Sequence, residues 1–333
     1  MVKTIIILSL TGIAGVAMAA RSGFQNSNGA AARPTEPPAP SIAANLVFFY
    51  YKDLAAAQRF YEEVIGLERV LDYGFATIHR VGPTSYIGLV DENRGMHKAS
   101  EPKTVTLAFI TDEVDAWFRH LSDRSVKLRG PVRDASRHPT RGFVAYDPEG
   151  YFLEFETFLD HPQNTKLREQ LRGTPGLYPG KTPGTALPPG SLRPAGLGIR
   201  GTVFWLYYRD VPAAQRFMET ALGQNLVVDQ GFAKVYTASA AGFVGLVDET
   251  QGLHRFSDQK AVTVTFITPA VDAWYQRLRS QGVQMKEPLE EVEKGLVRAF
   301  VGLDPAGYYL EFHWYNPDPR NDQILDILGK QSP

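Results

Sequence analysis

Cysteine is absent from all 333 residues. That excludes disulfides, thiolate metal sites, thiol nucleophiles and a lipid-modified cysteine behind a leader. Charge of either sign is not in excess, because 35 Lys and Arg stand against 36 Asp and Glu. No bulk basic surface is therefore offered to nucleic acid or acidic membranes, and no nucleic-acid partner is expected. The chain also lacks a glycine-rich phosphate or dinucleotide loop, a G-x-S-x-G elbow, an HExxH helix and an EF-hand loop. Nucleotide-dependent redox chemistry and phosphoryl transfer lose their usual sequence support, and no cofactor is expected. Long apolar runs are confined to one place. Lys3 precedes the stretch Thr4 to Met18, and Ala17-Met18-Ala19 supplies a small-x-small cleavage pattern. The run is shorter than the ~20 apolar residues a span needs. Residues 1–19 are expected to be a signal peptide, the protein periplasmic or secreted, and the mature chain without a stable membrane span.

What is present is a repeat. Asp53, Gly74, His97, Trp117 and Asp147 recur as Asp210, Gly231, His254, Trp274 and Asp304, at a constant offset of 157 residues (210 minus 53, and likewise for each pair). Self-similarity of this kind marks a tandem duplication. Residues 20–42 are rich in Ser, Asn, Ala and Pro and read as a flexible spacer, and 173–199 as a Pro/Gly-rich linker. The repeats are expected as domains over 43–172 and 200–329.

Each repeat runs strand, helix, three strands, twice over. In the first, LVFFYY (Leu46 to Tyr51) reads as a strand and Asp53 as a helix N-cap. Leu54, Ala57, Phe60, Tyr61 and Val64 then give a helical stripe, and strands are expected near 68–72, 75–80 and 85–91. A strand at Val105 to Ile110 precedes a helix bearing Val114, Trp117, Phe118 and Leu121, and strands near 126–132, 141–146 and 151–158 close the unit. A coda follows each repeat, in which Asn164 and Asn321 are N-cap types and Leu167 with Leu171, or Ile324 with Leu328, sit at helical spacing.

The strings DPEGYFLEF (Asp147 to Phe155) and DPAGYYLEF (Asp304 to Phe312) are nearly identical. Asp-Pro and the following Gly are turn chemistry, and the aromatic-rich remainder suits a strand. With AAAQRFYEEVIGL after Asp53-Leu54, and YYRDVPAAQRFMETALG in the second copy, they resemble the vicinal oxygen chelate superfamily, which includes glyoxalase I, bleomycin-resistance proteins and extradiol dioxygenases. The resemblance implies an α+β fold of four βαβββ modules, paired into two glyoxalase-like domains with curved mixed sheets, each a cup. It also implies where a divalent ion would be held. Those positions fall on Leu46, Gly88, Thr106 and Glu154 in the first repeat, and on Val203, Gly245, Thr263 and Glu311 in the second. Only the Glu of each set is a usual ligand, so no metal is expected at this place.

Glu154 and Glu311 are therefore either general bases in an aromatic cup or carboxylates held by hydrogen bonds. His313, two residues beyond Glu311, shares its face and completes a candidate acid–base pair; Glu156 stands at that position in the first repeat. Phe48, Tyr50, Thr106, Trp205, Tyr207 and Thr263 are candidate ligand contacts. His97 and His254, in DENRGMH and DETQGLH, either add acid–base or metal chemistry or belong to a turn. Three functions stay open: a binding protein for small apolar or aromatic molecules; a lyase, isomerase or hydrolase using Glu311 and His313; and a duplicated scaffold for protein interaction.

Overall fold

The computed structural model describes residues 37–133, 138–174, 176–177 and 187–330. The expected signal peptide and most of the spacer lie outside these residues, as does part of the linker. Among the described residues, no helix is long and apolar enough to cross a membrane.

The first repeat gives β1 (Ala44–Tyr51), α1 (Leu54–Arg59), β2 (Glu68–Asp72), β3 (Ala76–Gly82), β4 (Ser85–Asp91), β5 (Val105–Ile110), α2 (Val114–Asp123), β6 (Thr140–Tyr146), β7 (Phe152–Phe158) and α3 (Thr165–Gly173). The second gives β8 (Gly201–Tyr208), α4 (Val211–Thr220), β9 (Leu226–Asp229), β10 (Ala233–Thr237), β11 (Gly242–Asp248), β12 (Val262–Ile267), α5 (Val271–Ser280), β13 (Met285–Val292), β14 (Val297–Leu303), β15 (Tyr309–Tyr315) and α6 (Asp322–Gly329). Asp53 and Asp210 cap α1 and α4, accepting from the amides of Ala56 and Ala213 at 2.9 Å. After α1 the helix widens into a π turn over Phe60–Val64.

Two of the expected local features differ. No strand forms over 126–132; a single bridge, Leu128 to Ala145, stands there. Gly130 and Pro131 interrupt that segment, one without a side chain to pack and the other without a donor. The equivalent β13 does form, with register shifts along its pairing to β14 that accommodate Pro288. Asn164 and Asn321 do not cap through their side-chain oxygens. Their amides instead reach back to carbonyls: Asn164 to those of Pro139 and Leu159, Asn321 to those of Leu296 and Asn316.

The decisive feature is which strands meet. The eight-stranded sheet runs β13-β14-β15-β12-β1-β4-β3-β2, and the seven-stranded sheet β6-β7-β5-β8-β11-β10-β9. Each sheet thus takes strands from both repeats, four and four in the larger and three and four in the smaller, joined antiparallel at β1 with β12 and at β5 with β8. Neither repeat builds a sheet of its own. Alternation then sorts the side chains. Val47, Phe49, Val105, Leu107, Phe204, Leu206, Val262 and Val264 face one continuous core with Trp117 of α2 and Trp274 of α5. The other face of each sheet, called here the inner face, carries Leu46, Phe48 and Tyr50 or Val203, Trp205 and Tyr207.

The coda helices cover one end of each inner face. Leu167 and Leu171 of α3 pack on Val203, Phe158 and Phe243, and Ile324 and Leu328 of α6 join Leu46, Ile267 and Tyr315. Burying each of these aliphatic side chains is worth about 1.5–3 kcal/mol.

Candidate functional sites on the inner faces

The register across the strands groups the residues that sequence singled out. On the eight-stranded sheet, Gly88, Phe48, Thr263 and Tyr309 lie in one row, and Tyr86, Leu46, Thr265 and Glu311 in the next. On the seven-stranded sheet the rows are Gly245, Trp205, Thr106 and Phe152, then Phe243, Val203, Ala108 and Glu154. Leu46 and Gly88 therefore share a face with Thr263 and Glu311, rather than with Thr106 and Glu154 of their own repeat. Val203 and Gly245 likewise join Thr106 and Glu154.

These rows do not fit a divalent ion. A Cβ on Gly88 would stand 2.2 Å from the Phe48 ring and one on Gly245 2.1 Å from the Trp205 indole, so the rings occupy the space a ligand side chain would fill. Thr263 and Thr106 are already engaged, their hydroxyls 2.7 Å from those of Tyr50 and Tyr207. Leu46 and Val203 offer no donor. One carboxylate per face remains where a transition ion needs three or four donors. Among the described residues, no group of three or more His, Asp or Glu is placed to hold a metal.

The D-P-x-G-Y strings have a structural task. The Asp147 carboxylate accepts from the Tyr51 and Tyr61 hydroxyls at 2.6 and 3.2 Å and from the amides of Glu149 and Tyr151 at 3.0 and 2.8 Å. Burial pushes its pKa up to about 6, against these hydrogen bonds. So held, Tyr151 accepts from the Tyr50 amide at 3.0 Å and donates to the Ala261 carbonyl at 2.6 Å. This is where the β1–β12 ladder ends, so the phenol ties one repeat to the other. Tyr308 repeats the device with Tyr207 N and Thr104 O at 2.9 and 2.7 Å.

His97 and His254 stand at the end of the turn after β4 and β11; His97 Nδ1 lies 2.8 Å from Glu101 Oε2, and the Nε2 of both rings is buried without a partner. Asp91 accepts from the Asn93 amide at 2.9 Å. A Cβ at Gly95 would meet the Tyr50 ring at 2.5 Å, and one at Gly252 the Tyr207 ring at 2.6 Å. The His97 ring packs on Tyr50 and on Tyr309 of the other repeat, 5.1 and 4.4 Å between centroids. His254 packs on Tyr207 and Phe152 at 4.9 and 4.2 Å. Burial lowers the pKa of both, that of His254 to about 4, so both rings are neutral at pH 7.

Around the two glutamates of the repeated strings the faces differ. On the eight-stranded sheet, His313 Nδ1 lies 2.5 Å from Glu311 Oε1, with side-chain exposures of 3% and 14%. His313 Nε2, the Tyr315 hydroxyl and the Thr265 hydroxyl are buried there without a partner. On the seven-stranded sheet, Arg133 Nη2 donates to Glu154 Oε1 at 2.6 Å, and Glu156 accepts from Trp205 Nε1 at 3.3 Å. Burial raises both carboxyls, and the Glu154 charge drives Glu156 further up. Arg133, Tyr315, Tyr151 and Tyr308 were not singled out from sequence. The pair of recurring tyrosines was visible as a repeat; Arg133 meets Glu154 only across the sheet edge, and the Tyr315 hydroxyl is buried without a partner.

The known proteins agree with this architecture. Residues 43–155 match the family model described as the Glyoxalase/Bleomycin resistance protein/Dioxygenase superfamily. That match spans the first repeat, which is similar to this superfamily. Glyoxalase I from Zea mays superposes with a TM-score of 0.54 at 15% identity, over 86% of this chain and 96% of its own. A candidate dioxygenase from Bacillus subtilis subsp. subtilis str. 168 does so with a TM-score of 0.56 at 14% identity, over 88% and 91%. At these identities the likeness is one of glyoxalase-like fold. No curated protein matches the chain.

Proposed function

We propose that this glyoxalase-like protein is exported and binds small, largely apolar or aromatic organic molecules on its two inner faces, without the divalent ion of its metal-dependent relatives. The observation that carries the reading is the buried, unpartnered Nε2 of His313 beside Glu311. A buried polar atom without a partner costs about 1–3 kcal/mol, and a ligand's hydrogen-bonding group removes that cost. Phe48 and Tyr309, both only partly buried, supply the apolar approach to it. A suitable probe is 4-nitrophenol, a ring with one ionisable hydroxyl whose absorbance changes on binding. Saturable binding that Glu311→Gln or His313→Gln weakens, and Glu154→Gln does not, is the expected result. Equal affinity in all three variants would remove the anchor. Export is tested by fractionating cells that make the full chain, and the absence of a metal requirement by unchanged binding after chelation.

One observation favours a second reading. A carboxylate 2.5 Å from one imidazole nitrogen fixes the tautomer and orients the other nitrogen, an arrangement that acid–base catalysis uses. In an enzyme of this kind Glu311→Gln abolishes turnover and keeps binding, whereas a binding protein has no turnover to lose.

A further inference from the structure

The two inner faces carry different charge. On the seven-stranded sheet, Arg129 and Arg133 sit on one segment, anchored by Arg129 N to Val144 O and Arg133 N to Gly142 O, both at 2.8 Å. The Arg129 guanidinium stands 5.4 Å from the centroid of the Phe152 ring, over the inner face, and is exposed. Among the described residues it has no carboxylate partner. Arg133 gives one hydrogen bond to Glu154 and leaves 43% of its side chain open. Below them lie Trp205, Phe152 and the neutral ring of His254. Glu154 balances one guanidinium. Glu156 is buried beside it with Trp205 as its hydrogen-bond donor, and burial together with the Glu154 charge pushes its carboxyl up. Among the described residues the exposed Arg129 guanidinium is left without a carboxylate, at the edge of the rings of Phe152 and Trp205.

The eight-stranded sheet lacks this arrangement. The equivalents of Arg129 and Arg133 at the repeat offset are Lys286 and Glu290. Where one face has a second guanidinium, the other has a carboxylate.

We propose that the inner face of the seven-stranded sheet takes an organic carboxylate, its aromatic or apolar body against Trp205 and Phe152 and its charge on Arg129 and Arg133. Arginine suits this because its planar fork matches a carboxylate and stacks on rings. The inference rests on the binding reading above and gives one of the two faces its ligand class.

The test uses the full chain and three probes of one size: benzoate, benzylamine and benzyl alcohol, followed by calorimetry and by the change in tryptophan fluorescence that Trp205→Phe removes. Benzoate is expected to bind, more weakly as salt rises, and at least tenfold better than the other two. Arg129→Gln should weaken benzoate at least tenfold. The fold should stay intact, since the Arg129 side chain is exposed and, among the described residues, has no hydrogen-bond or ion-pair partner, whereas Arg133→Gln also strands Glu154. Lys286→Gln should leave benzoate binding unchanged. If benzylamine or benzyl alcohol binds as well as benzoate, or Arg129→Gln has no effect, the charge selection is wrong while the binding reading stands. If none of the three binds, this face is no site and the proposal falls with it; 4-nitrophenol binding that depends on Glu311 then decides the other face separately.

Discussion

Tyr151→Phe isolates the clamp between the repeats. The phenylalanine ring keeps the stack on Phe49, whose centroid is 3.9 Å away with the planes 2° apart, so packing is conserved. What disappears is one oxygen that serves two buried backbone groups, the Tyr50 amide and the Ala261 carbonyl. Each group left unpaired costs about 1–3 kcal/mol, so the variant should lose about 2–6 kcal/mol of unfolding free energy. Tyr308→Phe strands Tyr207 N and Thr104 O and should cost the same. The two clamps share no partner, so the double variant should show additive costs to within ~0.5 kcal/mol. The assay is urea denaturation followed by far-ultraviolet circular dichroism, with Tyr146→Phe, which alters an edge contact with Phe152, as control. A Tyr151→Phe variant within ~0.5 kcal/mol of the control would refute the argument, because it would mean that the ladder ends are satisfied without the phenol.

Three further outcomes are expected. Asp147 and Asp304 both have folded pKa values raised to about 6, first by burial; the native state therefore holds protons that the unfolded chain releases, and stability falls between about pH 4 and 6, by up to ~3 kcal/mol per group. Asp304→Asn should flatten that part of the urea-midpoint profile, and a slope identical to that of the parent would count against it. Gly245→Ala places a methyl 2.1 Å from Trp205 and should cost about 1–3 kcal/mol by overpacking, with a shifted tryptophan emission; an unchanged midpoint and spectrum would show that the ring is free to move. Residues 43–174 expressed alone leave β1 and β5 without the partners they have in the whole chain, and should dimerise or aggregate by light scattering; a stable monomer would contradict the pairing.

Local structure was legible wherever local chemistry decides it. The capping by Asp53, the stripe through Ala57 and Tyr61, and the strand after each D-P-x-G-Y turn follow from spacing that is fixed within a few residues. Strand partnership was not. The first strand of each repeat has the same pattern, and so has the fifth, so β1 is equally suited to β5 and to β12 on alternation alone; choice between them is a long-range matter of topology. The same blindness misgrouped Gly88 with Thr106. Sequence found the glutamates because they recur in a motif, and missed Arg133 because its partner is 21 residues away across a sheet edge and its segment reads as an unremarkable strand. The motif that drew most attention, D-P-x-G-Y, ties the repeats together, while the candidate glutamates stand three positions beyond its tyrosine.

A dimer of identical single repeats paired as these are would have two identical faces, and any substitution would be written into both at once. Here the copies share one chain, and each face draws β1–β4-type strands from one repeat and β5–β7-type strands from the other. A substitution in any one strand therefore reaches a single face. That independence is what lets Glu156 stand opposite His313, and Arg133 opposite Glu290, without compromise. The duplication behaves as two sites that can be tuned apart while the clamps that join them stay the same.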